Sequence, residues 1–246
     1  MSMEEIALRM DDVGASSKEF EQYSNFGPGN LLFLKRMRPF RAWAKYRELD
    51  DKDWSQILSM LERKGARLTV AITACWVEFD GTLVPFPDKF AGEAGAIRQG
   101  VRAGLLEIAN HGLTHCVVEG GLFRPRALEG NRRFHREFWP WIDPEKQLEH
   151  MMRSQEILRS YFGVDVTTFV PPGNVFTDTT IDAAEKAGIR TINCKTRECL
   201  SGGLRVMSDD SVAAFHDRDI AVNGPAFLER IIAGRKAGFV FVRDLR

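Results

Sequence analysis

The sequence predicts one barrel-like α/β domain, and three observations carry that expectation. Short apolar segments alternate with amphipathic helical patterns along the chain, which argues for parallel strands joined by crossover helices. The 246 residues suit an α/β barrel, which commonly fills this length as one unit. Polar, chemistry-bearing residues recur at the C-terminal ends of the apolar segments, where parallel α/β barrels place their sites. No internal repeat, low-complexity linker or composition break divides the chain, so residues 1–246 are expected to form one domain.

Taken in order, "EEIALRMDD" reads as a first strand, followed by a long polar and aromatic connection. "DDKDWSQILSMLERKGA" places Trp54, Ile57, Leu58 and Leu61 at helical spacing, with Gly65 as its stop. "RLTVAITACW" reads as a second strand. "AGEAGAIRQGVRAG" is a helix closed by Gly104, and "LLEIANHG" is a third strand. A second long connection leads to "DPEKQLEHMMRSQEILRSYFG", a helix with Asp143 as cap, Pro144 in its first turn and Gly163 at its end. "VTTFVPPGN" is a fourth strand, and "TDTTIDAAEKAG" a helix that stops at Gly188. "IRTINCKT" is a fifth strand, with "LRVMSDD" and "SVAAFHD" as further ones. "GPAFLERIIAGRKAG" is the last helix and "FVFVRDLR" the last strand.

Composition excludes several classes. Hydrophobic residues make up 44% and charged residues 28%, an ordinary globular balance. Net charge is zero, so no global field draws the protein to nucleic acid or to an anionic membrane. No apolar run approaches a membrane span, and "MSMEEIALRMDD" does not resemble a signal peptide. The four cysteines (Cys75, Cys116, Cys194, Cys199) form no CxxC pair, so free thiols and a cytoplasmic location are expected.

The first chemical feature is "RMDDVG". It sets Asp11 and Asp12 side by side at a strand end, although adjacent acids repel and strands disfavour Asp. The second is "NHGLTHC", with His111 and His115 four apart. Two imidazoles and one carboxylate make a zinc set with an open position for water. Each feature alone is weak: turns favour Asp, and five histidines give such a spacing by chance about one time in ten.

Together, "RMDDVG", "NHGLTHC", "FVPPGN" and "FHD" resemble, in order and approximate spacing, the motifs of the polysaccharide deacetylase (NodB-homology, carbohydrate esterase family 4-like) family. The resemblance runs from about Ile6 to the end. It implies a distorted (β/α) barrel and a metal-dependent deacetylase. Position by position, it makes Asp12, His111 and His115 the metal ligands, Asp11 the general base and His216 the general acid. Pro172, Gly173 and Asn174 would line the substrate, with a backbone N–H near Gly173 on the oxyanion. Zinc is the expected metal, although carboxylate and imidazole accept other divalent ions.

The chain departs from the family pattern in three places. Val170 stands where the third motif has arginine. Side chains alternate along a strand, so Arg9 and Asp11 share a side, and Arg9 is expected to take over the arginine's work on the base; the alternative is that it binds another acid or solvent. The fourth motif is not recognisable in "INCKTREC", leaving Asp217 and Asp219 as candidates to orient His216. Ala213 replaces a leucine, which predicts an acyl pocket of different shape. His150 is expected to be structural, Cys116 to be a small buried side chain, and His135 matches no motif.

The connections after the first and third strands mix arginine and lysine with aromatics. Lys35, Arg36, Arg38, Arg41, Lys45 and Arg47 lie among Phe33, Phe40, Trp43 and Tyr46. Arg124, Arg126, Arg132, Arg133 and Arg136 lie among Phe123, Phe134, Phe138, Trp139 and Trp141. Aromatic faces suit sugar rings, and arginine suits carboxylate or phosphate. The expected substrate is an anionic glycan or a phosphate- or nucleotide-linked sugar, such as an intracellular O-antigen precursor, and not nucleic acid. A plainer reading has the aromatics pin the loops to the barrel. Two further alternatives stand beside an amino-sugar N-deacylase: a hydrolase of a non-sugar amide, and a glycan-binding barrel that has lost catalysis.

Overall fold

The computed structural model describes residues 4–18, 47–78, 80–116, 136–195, 199–201, 204–235 and 237–245. Its centre is β1 (Glu5–Val13), an almost wholly buried strand. Along one edge β1 pairs in parallel with β10 (Val212–His216) and β11 (Gly238–Val240). Along the other it pairs in parallel with β2 (Leu68–Ile72). The sheet continues in parallel through β5 (Leu106–Asn110), β6 (Thr168–Phe169), β7 (Thr191–Asn193) and β9 (Leu204–Met207). The outermost strand, β8 (Cys199–Ser201), is antiparallel to β9. Among the described residues the ladder runs from β10 to β8. The result is a mostly parallel half-barrel wrapped in helices, the distorted (β/α) form that the resemblance implied.

Among the described residues, five helices form where the caps and apolar spacing said they should, and two short ones, Phe86–Lys89 and Asp217–Asn223, were not expected. α1 (Asp51–Lys64) opens on a capping box between Asp50 and Asp53 and closes on Gly65 in the left-handed region. α2 (Phe86–Lys89) is one turn and leads into α3 (Ala91–Arg102). α4 (Pro144–Phe162) starts on the Asp143 side chain and ends at Gly163. α5 (Asp178–Lys186) starts on Thr177. α6 (Asp217–Asn223) and α7 (Ala226–Ala233) follow β10. Short 3-10 turns occupy Pro172–Asn174 and Val242–Asp244.

Strand alternation divides the buried residues into two faces. Leu8 and Met10 of β1 face the helices and join Trp54, Ile57, Leu61, Val70, Ile97 and Leu158 in the main core. Arg9 and Asp11 face the barrel interior, and Arg9 reaches across it to Asn193 of β7. Low in the interior, the buried Glu107 carboxylate accepts Thr69 Oγ1 at 2.6 Å and Thr168 Oγ1 at 2.5 Å. Thr69 Oγ1 also accepts the Val242 N–H at 3.0 Å, so the final 3-10 turn is fixed against the strands.

Three sequence expectations are corrected. "RLTVAITACW" is not one strand. After β2, the Thr73, Ala74 and Cys75 N–H groups bond to Val13, Gly112 and Leu113. The chain then forms an antiparallel hairpin of β3 (Cys75–Val77) and β4 (Leu83–Pro85). The last segment is strand only over β11 and then turns into the 3-10 helix. Ala213 does not line an acyl pocket: it sits in the main core with Phe215, on the strand face away from His216.

Candidate active site

Adjacent residues on a regular strand point to opposite faces. Asp11 and Asp12 nevertheless serve one site, because β1 is irregular there. Its register with β2 shifts between Met10 and Val13, and Asp12 has φ 70, a conformation uncommon outside glycine. Asp12 is turned towards the residues after β5, where His111 and Gly112 lead into a tight turn. His115 has φ 60, so this turn too rests on a left-handed residue.

Asp12 Oδ1 lies 3.2 Å from His111 Nε2 and 3.2 Å from His115 Nε2. All three residues are buried, and one ligand atom from each falls within 4.8 Å of the others. Each ring is held from behind. His111 Nδ1 meets the Val170 carbonyl at 2.7 Å, and His115 Nδ1 meets Ser17 Oγ at 2.8 Å. A carbonyl can only accept, so His111 carries its proton on Nδ1, and in the neutral ring the Nε2 lone pair faces Asp12. Two acceptors 3.2 Å apart repel unless a cation sits with them. This arrangement, with outer nitrogens tied and inner lone pairs converging on a carboxylate, fits a divalent metal.

The two acids have different partners: Asp12 meets the imidazoles and Asp11 meets Arg9. Arg9 grips Asp11 with two bonds, Nε to Oδ1 and Nη2 to Oδ2, both 2.8 Å. Its Nη1 donates to Asp209 Oδ1 at 2.7 Å and to Asn193 Oδ1. The neighbouring acids overcome the cost of burying Arg9 and hold its guanidinium charged. Val170, in place of the expected arginine, is a buried apolar contact with Ala71 and Ala109, and its carbonyl serves His111.

His216 enters from the other side. Parallel pairing of β1 and β10 puts it in register with Asp11. Its Nε2 is 3.8 Å from Asp12 Oδ2. Its backbone N–H donates to Asp219 Oδ2 at 2.9 Å, and its Nδ1 lies 3.7 Å from the same oxygen. Burial favours the neutral ring, but Asp12, Asp219 and Asp11 outweigh it and raise its pKa to about 9. Burial likewise works against Asp12's charge, and His216, His111 and His115 hold that carboxyl well below its usual range. Arg218 places Nη2 3.9 Å from Asp12 Oδ2. Of the two candidate acids, Asp219 lies beside the ring, and Asp217 pairs with Lys18.

Pro172–Asn174 borders the site. A Cβ on Gly112 would lie 3.0 Å from Pro172 Cγ, so this turn sits beside the histidine turn. Asn174 donates its own N–H to Pro171 at 3.0 Å and is exposed. Cys116 packs with Val77 and Leu83, and burial pushes its thiol pKa up.

Sequence reasoning missed Glu137. Its buried carboxylate accepts the N–H groups of Leu113, Thr114 and His115 at 2.9, 3.1 and 2.9 Å. It also meets His150 Nδ1 at 2.6 Å, which gives His150 the structural place expected for it. No periodicity marks Glu137, which lies in the second basic, aromatic stretch. Of that stretch and the first, Lys35, Arg36, Arg38, Arg41, Lys45, Arg124, Arg126, Arg132, Arg133 and His135 lie outside the described residues, as do Phe33, Phe40, Trp43, Tyr46, Phe123 and Phe134. Arg47 pairs with Asp53 at 2.6 Å. Phe138 is buried edge-on against Phe169, Arg136 lies over the Trp139 ring, and Trp141 is exposed. No helix among the described residues is long and apolar enough to cross a membrane.

A polysaccharide deacetylase family model matches residues 46–192, more than half of the chain. That segment holds His111, His115 and Val170, while Asp11, Asp12 and His216 lie outside it. No curated protein sequence matches. Among solved structures, the chain is similar to the Xyl-CE4 domain of a multidomain xylanase from the hindgut metagenome of Trinervitermes trinervoides, at 16% identity over 99% of this chain and 89% of that one, with TM-score 0.52. It is also similar to a family 4 acetyl xylan esterase from Clostridium thermocellum in complex with a cobalt ion, at 12% identity over 98% and 89%, with TM-score 0.51. A CE4 family pseudoenzyme from Bacillus anthracis is similar at 11% identity over 99% of this chain and 65% of that one, with TM-score 0.51. The chain spans 59% of the length of a putative polysaccharide deacetylase from Mycobacterium smegmatis that it also matches. At these identities the likeness is one of fold. The family model covers both histidines, and the fold built around them is shared along nearly the whole chain; the chain belongs to the polysaccharide deacetylase family.

Proposed function

We propose that the protein is a metal-dependent hydrolase that removes an N-acyl group, acetyl first among candidates, from an amino sugar of a bacterial surface polysaccharide or its precursor. The observation that carries this reading is the convergence of Asp12, His111 and His115 beside Asp11 and His216. Asp12, His111 and His115 would hold the ion, and we favour zinc for this carboxylate–imidazole set. A divalent cation there supplies Lewis acidity, which polarises an amide carbonyl and acidifies nearby water.

The chain's own residues do the rest. Asp11 takes a proton from the attacking water, and Arg9 fixes the orientation of that carboxylate through its two parallel bonds. His216 gives a proton to the leaving nitrogen. Without that proton the amine leaves poorly. The Pro172–Gly173 stretch, beside the histidine turn, would line the substrate. A glycan partner is supported by the aromatic surface at Trp139 and Trp141. Cationic groups at Arg136 and Arg218 are consistent with an anionic glycan or a phosphate-linked sugar.

The test is hydrolysis by the zinc-loaded protein of N-acetylated amino-sugar oligomers, O-acetylated xylan oligomers and small linear or cyclic amides, reading both free amine and acetate. We expect amine release from the amino sugars. Asp12→Asn should lose zinc and turnover together. Asp11→Asn should keep zinc and lose turnover by about 10²–10⁴-fold. Zinc binding with no turnover on any substrate, and glycan binding unaffected by Asp11→Asn, would overturn the enzymatic reading.

A further inference from the structure

Lys18 is a buried cation that hydrolysis does not use. Its side chain is wholly inaccessible, and Nζ lies 2.5 Å from Asp217 Oδ2, itself wholly buried, and 3.1 Å from Glu48 Oε1. Enclosing an ammonium this way is costly unless it is paired. Here Asp217 and Glu48 overcome the burial and keep Lys18 charged. What matters is where the two ends of the pair sit in the chain.

Lys18 directly follows Ser17, whose hydroxyl meets His115 Nδ1 at 2.8 Å. Asp217 directly follows His216 and opens α6. The ion pair therefore joins the segment that backs one imidazole of the candidate metal set to the segment that presents the proton donor. These segments are 199 residues apart in sequence. Asp217 is also fixed from its own side, since its Oδ1 accepts the Arg218 N–H at 2.7 Å. Glu48 extends the tie towards α1. Behind it Glu93 is buried and accepts the Trp54 indole N–H at 3.0 Å. Lys18 is thus held by acids from two separate regions, Glu48 ahead of α1 and Asp217 at the start of α6.

We propose that Lys18 is a positioning residue that sets two halves of the site at once: His115 through Ser17, and His216 through Asp217. The proposal deepens the metal-hydrolase reading and rests on it for its consequence in catalysis. A hydroxyl behind a ligating imidazole fixes the ring and its tautomer, and loss of such a partner costs about 10–100-fold in metal affinity. Ser17 can do this only while its own backbone is held, and Lys18 is the adjacent residue that anchors it.

The experiment compares wild type, Ser17→Ala, the paired change Lys18→Met with Asp217→Asn, and all three together. The paired change removes Lys18 together with its nearest carboxylate, and thermal unfolding checks that each variant folds. Zinc affinity is read by chelator competition. We expect the paired variant to bind zinc at least about tenfold more weakly, and Ser17→Ala to show a similar loss. Adding Ser17→Ala to the pair should then cost little more, because both act through one imidazole nitrogen. Losses that add in full, or a destabilised paired variant with wild-type zinc affinity, would overturn the proposal. Amide exchange of the metal-free proteins gives a second readout that needs no metal. Residues 14–18 and 215–219 should loosen together in the paired variant, and loosening of only one segment would also overturn it. A wild type that binds no zinc would end the metal reading, while exchange would still judge the tie.

Discussion

In the proposed reaction the guanidinium on Asp11 has a specific role. A general base must present one oxygen to a water in a fixed direction, and a lone carboxylate on a strand end can rotate. Two parallel bonds from Arg9, with its third nitrogen bound to Asp209 and Asn193, remove that rotation. Lysine cannot reproduce the fork. Arg9→Lys and Arg9→Met should therefore both lower kcat by about 10²-fold or more and alter the pH profile, with zinc affinity unchanged. Steady-state kinetics across pH, beside chelator competition, checks this. A variant with wild-type kcat and pH profile would return Arg9 to a purely structural place. Much of this was legible in the sequence. The acid pair, the histidine spacing and the same-face relation of Arg9 and Asp11 follow from residue order alone. What was hidden is that Asp12 breaks the alternation. A left-handed aspartate inside a strand has no sequence signature, and without it Asp12 would face the helices with Met10.

At the scale of elements, helices were easier to read than strands. Asp50 with Gly65, Asp143 with Gly163 and the Thr177 start each state a boundary chemically. β6 has two residues and β7 three, too few to show any period. The β3–β4 hairpin was absorbed into the preceding strand because both are apolar. The histidine turn is the element whose support was least visible, since Glu137 comes from a distant stretch and binds backbone, not side chains. Its three N–H bonds and the His150 contact make it a buried, charge-assisted anchor, worth about 1.5–3 kcal/mol per bond to a charged group. Gly112 is required beside it: φ is 81, and a Cβ would collide with Glu137 Oε2. Gly112→Ala and Glu137→Gln should each destabilise the protein by about 2 kcal/mol or more. Both should weaken zinc binding, because the turn sets His115. Urea unfolding in chelator, with a zinc titration, reads both effects. Lost stability with intact zinc affinity would mean that the turn holds its shape without the carboxylate.

For the whole molecule, the buried acids behind the site make stability depend on pH in a definite direction. Burial, above all, raises Glu48 from 4.5 to about 8, despite the opposing pull of Lys18. Burial and the nearby Glu48 charge raise Glu93 well above its usual value. A carboxyl with a raised folded-state pKa binds its proton more tightly folded than unfolded. Its contribution is fully present below about pH 4.5 and is lost as pH rises through about 8. His216 acts the same way at higher pH in the metal-free protein, its contribution being lost between 6.5 and about 9. Unfolding free energy in chelator should therefore fall steadily from about pH 5 to about pH 9. Glu48→Gln should flatten the lower part of that slope and leave the upper part. A divalent ion at fixed concentration should flatten the upper part by competing with His216 for Asp12; at the pH where it stands at 100 times its Kd it should add about 2.7 kcal/mol. Urea titrations at pH 5, 7 and 9, with and without zinc, separate the two contributions. Stability that rises with pH in the metal-free wild type would show that Glu48 and Glu93 are ionised in the folded protein, and that Lys18 neutralises more of the buried cluster than its two contacts imply.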